Sequence, residues 1–366
     1  MAGLLSKLPT IYAAVFYKKE GLVELFLEFG SHAGPNIYIC ISWSGTLRHC
    51  RNRCCRPTAH YTFMNMKKDL LQTTWPPLPL NAWGETYATL HMWSQIVGKV
   101  ALALMPPMNH FWYVALQIRT RGLSTLLLPH GNRMFTMTFD FVTHDLVVQS
   151  SDGAMEKIPL EPRSVKAFYE IVMDTLRRMG LETRIWPMPV EIPNPIRLDT
   201  DVTHHSYDPV TANTFWHILV TIKPVFEDFR TRFIGKSSPV HFFWGSFDLA
   251  STRFSGRRAP ERPGADPITK EAYSHELISH GFWPGSGPIQ EPAFYAYAAP
   301  EPAGFQDAAV QPRAAFYSKD LSEFILPYEA VRNSSSPESD LAAFLETTYN
   351  AGADLGKWDR ANLERK

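Results

Sequence analysis

Two apolar stripes with identical spacing constrain this chain more than any other feature. Thr86, Leu90, Trp93, Val97, Val100 and Leu104 recur at steps of four and three, which sets them along one side of a helix of about six turns. Phe215, Leu219, Ile222, Phe226, Phe229 and Phe233 repeat those steps at a constant offset of 129 residues. Asn81 is the expected N-cap of the first helix. Pro224, inside the second, is expected to kink or divide it.

Each stripe is followed by aromatic-rich extended segments and then by another helix. In the first half the extended segments are 111–119, 134–141, 146–150 and 155–160, with Asp152-Gly153 as a hairpin turn, and the closing helix is 165–179. In the second half the closing helix is 339–353. Short motifs recur as well. His110-Phe111-Trp112 matches His241-Phe242-Phe243-Trp244, Asp140 to His144 matches Glu276 to His280, and Pro162-Arg163-Ser164 matches Pro337-Glu338-Ser339. Repetition on this scale implies an internal duplication. The predicted fold class is α+β: two tandem pseudo-repeats of helix, antiparallel strands and helix, packed about a pseudo-two-fold axis. The repeats are 75–185 and 208–366, joined by a proline-rich connector at 186–207. Residues 1–72 form an atypical N-terminal extension.

All four cysteines, Cys40, Cys50, Cys54 and Cys55, belong to that extension, so the main body is neither a disulfide scaffold nor a thiol enzyme. With His49 and His60 they supply zinc-type ligands, but not as the paired Cys-x2-4-Cys knuckles of a structural site. The sequence specifies no metal, no cofactor and no oligomeric state. No apolar run approaches the ~18 residues of a membrane span, and no cleavage site precedes Lys18 and Lys19, so the expected location is cytoplasmic. Equal numbers of basic and acidic residues, 36 each, argue against a chain that lives by binding phosphate backbones.

The densest chemistry lies between Ser238 and Pro263, where a strand carrying His241, Trp244 and Asp248 is followed by a loop with Arg253, Arg257, Arg258 and Arg262. On one regular strand His241 and Asp248 face opposite sides unless a bulge near Gly245 re-aims one of them. His275-Glu276-Leu-Ile-Ser-His280 imitates a zinc protease signature, but its histidines are five apart rather than four. Glu276 remains an acid/base candidate, and Tyr295 stands among alternating aromatics on a later strand. Tyr87 and His91 sit beside the first apolar stripe, where a buried structural role is expected. Nucleotide loops and a nucleophile elbow are absent.

Three stretches, Trp75 to Val100, Pro239 to Pro260 and Glu271 to Pro302, resemble an uncharacterised bacterial family known as domain of unknown function 5996. The resemblance covers Trp75 to the C-terminus and implies no particular activity.

These residues favour a protein that binds a small anionic molecule, with possible turnover, in a groove of the second repeat. Trp244, Arg253, Arg257, Arg258 and Tyr295 would hold it, and His241, Asp248 and Glu276 would move protons. The alternative is a non-catalytic interaction module whose sheets form a protein-binding face. Single-stranded nucleic-acid binding ranks below both, because it requires a basic face.

Overall fold

The computed structural model describes the backbone of 11–19, 22–29 and 37–42 and all of residues 74–366. Strands β1 (Ile11–Lys19), β2 (Leu22–Phe29) and β3 (Ile37–Ser42) form an antiparallel sheet within a unit spanning Met1–Asp69. His49, Cys50, Cys54, Cys55 and His60 lie outside the described residues. The other unit, Leu70–Lys366, carries everything considered below.

Helix α1 (Leu80–Leu104) begins at Pro79 rather than Asn81, because the prolines before it hold the chain extended until Leu80. It ends where Pro106 forces Met105 into an extended conformation. The apolar stripe is only part of its burial, since every residue from Thr89 to Ala101 is buried. The helix is therefore enclosed on all sides. Trp93 stacks on Phe168 of α2 (Val165–Arg178) with ring centroids 4.4 Å apart, and the Ser164 hydroxyl caps α2 by accepting from the Ala167 N–H.

Between these helices lie β4 (Gln117–Arg119), β5 (Gly122–Ser124), β6 (Leu128–His130), β7 (Arg133–Asp140), β8 (Asp145–Ser150) and β9 (Met155–Pro159). They pair antiparallel in the order β4-β5-β7-β8-β9, with β6 also against β7. Alternation fixes the inner face, as Phe135, Met137 and Phe139 of β7 and Leu146 and Val148 of β8 are all fully buried. The expected strand 111–119 is mostly not one. Asn109–Phe111 is a tight 3-10 turn with positive φ at His110 and Phe111, and only Gln117–Arg119 joins the sheet.

The second sheet contains β10 (His241–Phe243), β11 (Asp248–Arg258), β12 (His275–Trp283), β13 (Ala293–Ala299), β14 (Phe316–Ser318) and β15 (Glu323–Pro327), in the order β10-β11-β12-β13-β15-β14. It too is antiparallel. Helices α3 (Pro209–Thr231), α4 (Pro267–Ala272), α5 (Tyr328–Arg332), α6 (Pro337–Leu355) and α7 (Arg360–Leu363) complete the unit, giving seven helices among the described residues. The sheets meet where Leu116 and Phe242 exchange two backbone hydrogen bonds of 2.7 and 2.8 Å.

Helix α3 runs unbroken through Pro224. Pro224 has no N–H to donate to the Val220 carbonyl, and both residues lie on the exposed side of the helix, where water can serve that carbonyl instead. The short motif matches between halves do not correspond in structure: Asp140–His144 is a strand end and turn, whereas Glu276–His280 is internal to β12. No helix among the described residues is long and apolar enough to cross a membrane.

Phe226, fully buried and packed on Phe294, should cost about 3–5 kcal/mol of stability as Phe226→Ala. Pro224→Ala should instead stabilise by about 1–3 kcal/mol, because it restores a helix donor without touching the core. Urea unfolding of both variants checks the pair.

Candidate functional site

A polar line runs down the enclosed helix α1. Tyr87, His91, Gln95 and Lys99 are spaced by four and so share one side of it. Buried polar groups need partners, and two neighbouring segments supply them. The Gln95 side chain donates to Val190 O at 2.9 Å and Gly245 O at 3.3 Å, and accepts from the Val190 N–H at 3.1 Å. His91 Nε2 lies 2.8 Å from Gly245 O. Burial lowers the His91 pKa to about 4, so it is a neutral imidazole that donates this bond. The connector and the β10–β11 turn are thus both held against α1.

That turn replaces the single strand expected over this stretch. The chain reverses at 244–247, so that Phe243 lies opposite Asp248 and His241 opposite Ala250. Phe247 takes a left-handed conformation with φ 59°, and a side chain on Gly245 would fall 2.6 Å from the Glu191 carboxylate. A larger residue there would have to displace the Glu191 carboxylate.

The reversal brings together acids that are far apart in sequence. Asp248 accepts from Ser246 Oγ at 2.5 Å and from the Tyr295 hydroxyl. Gly281 makes room for Tyr295, because a Cβ there would lie 2.2 Å from the phenol ring. Burial raises the Asp248 pKa, and its two hydrogen bonds oppose that rise. Burial and then the Asp248 charge raise Glu191, push Glu323 to about 7, and push the Tyr87 phenol to about 12. A shared set of raised carboxyls can hold or release a proton near neutral pH. Among the described residues, no group of three or more His, Cys, Asp or Glu side chains is arranged to hold a metal.

The residues singled out from sequence separate into several places. Trp244, Asp248 and Tyr295 belong to this buried cluster; the Trp244 indole donates to Val114 O at 3.0 Å. His241 is 1% exposed, set edge-on to Phe243, with its pKa lowered to about 4 by burial and by Arg230. It makes no contact with Asp248, because the two stand at different register positions of the hairpin. Arg253, Arg257 and Arg258 lie on β11, not in a loop. Arg253 is 2% exposed, with its guanidinium 3.5 Å from the Phe229 ring and 4.2 Å from that of Tyr349. It is a core cation held by aromatic faces, out of reach of a solvent-borne ligand. Arg257 pairs with Glu276 at 2.6 Å and donates to Gly356 O and Lys357 O, closing the C-terminal end of α6. Glu276 also accepts from Ser255 Oγ at 2.9 Å, so it is committed to that bridge rather than to the Asp248 cluster. His275 and His280 fall on opposite faces of β12, and His280 is fully buried against Thr348.

Arg258 opens onto a surface cavity of about 670 Å³ lined also by Glu261, Arg262, Lys270, Tyr273 and Ser274. The Arg262 guanidinium stacks 4.0 Å from the Tyr273 ring. None of Arg258, Arg262 and Lys270 has an acidic partner among the described residues. A larger opening of about 740 Å³, beside the start of α1, differs in this respect. Its Arg163 is paired with Glu161, its Ser206 donates to Glu85, and its Asp208 caps α3.

Fold and site together define a mixed α and β protein with two antiparallel six-stranded sheets in its main unit. The chain belongs to a family of unknown function, DUF5996, whose profile matches residues 75–365. No curated protein and no solved structure matches it.

Sequence reasoning missed Glu191, Glu323, Gln95 and Lys99. The spacing of four from Tyr87 to Lys99 was a usable signal; nothing local marks Glu191 or Glu323 as neighbours of Asp248.

The raised Glu323 carboxyl makes a signed prediction. Its folded pKa, about 7, exceeds its reference value of 4.5, so its stabilising contribution is complete below pH 4.5 and lost as pH rises through 7. Glu323→Gln should therefore lose less stability than wild type between pH 5 and pH 8, by on the order of 2 kcal/mol. His91 and His241 act in the opposite direction, losing their contribution as pH falls from 6.5 towards 4, and are common to both proteins. Urea midpoints across this range check the difference, and parallel profiles would exclude the effect.

Proposed function

We propose that this protein binds a small anionic molecule in the cavity beside Arg258, at the end of the second sheet. The observation that carries the reading is the meeting of three cationic side chains, Arg258, Arg262 and Lys270, around one cavity without an acidic partner. Unpaired like charges repel, and an incoming anion relieves that repulsion while accepting hydrogen bonds from two planar guanidinium forks. One carboxylate, Glu261, shares the cavity, so the lining carries a net charge of about +2, suited to a dianion such as a phosphoryl group. Arg258 keeps the ligand-holding role expected from the sequence and is joined by Arg262 of the same arginine-rich stretch; Arg253 and Arg257 have other partners.

We also infer that the six antiparallel strands following a long helix in each half, interrupted in the second half by α4, reflect a duplicated unit arranged about a pseudo-two-fold axis. On this reading 75–185 and 208–366 are its copies, 186–207 joins them, and 1–72 is an added segment.

Titration calorimetry with inorganic phosphate and with acetate tests the binding reading. Phosphate should bind the more tightly, and Arg258→Ala should weaken it about tenfold at low salt and less at high salt. Equal, salt-independent affinities would count against the clamp. Binding should also raise the pKa of His275, which burial, Lys236 and Arg258 now hold down. The NMR titration of its ring protons reads that shift.

A further inference from the structure

Lys99 has no counterpart to the contacts that its neighbours on α1 make. His91 and Gln95 are hydrogen-bonded, and Tyr87 packs on Trp83 and Phe247. Lys99 is just as enclosed, at 3% exposure, yet its amine meets no hydrogen-bond acceptor and no carboxylate among the described residues. Its surroundings are two indoles, with Nζ 5.4 Å from the Trp186 ring centre and 6.0 Å from that of Trp244.

The two walls differ. Trp244 is fixed: its N–H is bonded to Val114 O, and its ring lies so close over Gly98 that a Cβ there would fall 2.2 Å from it. Trp186 is 66% exposed and belongs to the proline-rich connector. It lies outside the hydrophobic core and forms the exposed wall of the slot.

An ammonium ion in such a slot gives up hydration and gains only the attraction of the ring faces. A neutral amine does not carry that cost, and burial accordingly lowers the Lys99 pKa to about 8. With a pKa of about 8 a fraction of this lysine is already uncharged near neutral pH, and such an amine behind one exposed wall is a nucleophile towards carbonyl carbon.

We propose that Lys99 is a covalent site for a small aldehyde or ketone, which it takes up as an imine beneath Trp186. The amine nitrogen adds to the carbonyl carbon. The carbon–oxygen bond then breaks, and the oxygen leaves as water with the two protons that the nitrogen gives up. No oxidant or reductant is needed. The apolar walls favour an uncharged substrate, which makes this site independent of the anion cavity beside Arg258.

Propanal with sodium cyanoborohydride, which reduces an imine to a stable secondary amine, tests the site on the full-length protein. Peptide mapping by mass spectrometry should find Lys99 alkylated at least tenfold faster than the exposed lysines. Lys99→Arg should lose that adduct alone, and Trp186→Ala, a change at the surface, should speed its formation. The proposal is overturned if Lys99 stays unmodified in native wild-type protein while exposed lysines react. It is equally overturned if Lys99 is labelled only after unfolding, as an inert buried lysine would be.

Discussion

Enclosing a helix on every side leaves its polar side chains no access to water, and the main unit is arranged around that constraint. From Thr89 to Ala101 helix α1 has no exposed residue. Its polar groups must be satisfied by whatever packs against them. Gln95 and His91 take the backbone of the β10–β11 turn and of the connector at Val190. Thr86 and Thr89 accept from the N–H groups of Asp208 and Ser206, fixing the other end of the connector. A segment rich in proline, with few donors of its own, is held in place by side chains of the helix it crosses.

Those bonds also determine the chemistry nearby. Holding Gly245 against α1 closes the turn that places Ser246 and Asp248 beside Tyr295, and holding Val190 brings Glu191 against Gly245. Burial disfavours charge on all three of these carboxyls, and the Asp248 charge raises Glu191 and Glu323 further. Lys99, one turn beyond Gln95, lies at the end of the same line.

Three arginines of one strand show how position overrides residue type. Arg253 points inward, where aromatic faces and the Phe229 carbonyl replace water. Within the irregularity in pairing between Phe254 and Arg258, Arg257 turns to Glu276 and the end of α6, while Arg258, where pairing resumes, is left facing a cavity. The same charge is a core element, a helix clamp and an unpaired cation at a cavity within six residues of chain.

The sequence by itself determined what depends on local periodicity and turn chemistry. The two long helices, the Asp152-Gly153 hairpin and the grouping of strands between helices all follow from spacing and from backbone preferences that act over a few residues. Tertiary structure decided whatever depends on partners distant in the chain. Trp244-Gly-Ser-Phe could continue a strand as readily as reverse it, and contacts from His91 and Gln95, about 150 residues away, select the reversal. Glu191 and Glu323 acquire raised pKa values only because folding sets them around Asp248. Pattern along a chain records which face of an element is apolar. Which charges then share a buried volume is set by packing, and it is there that proton affinity and reactivity are decided.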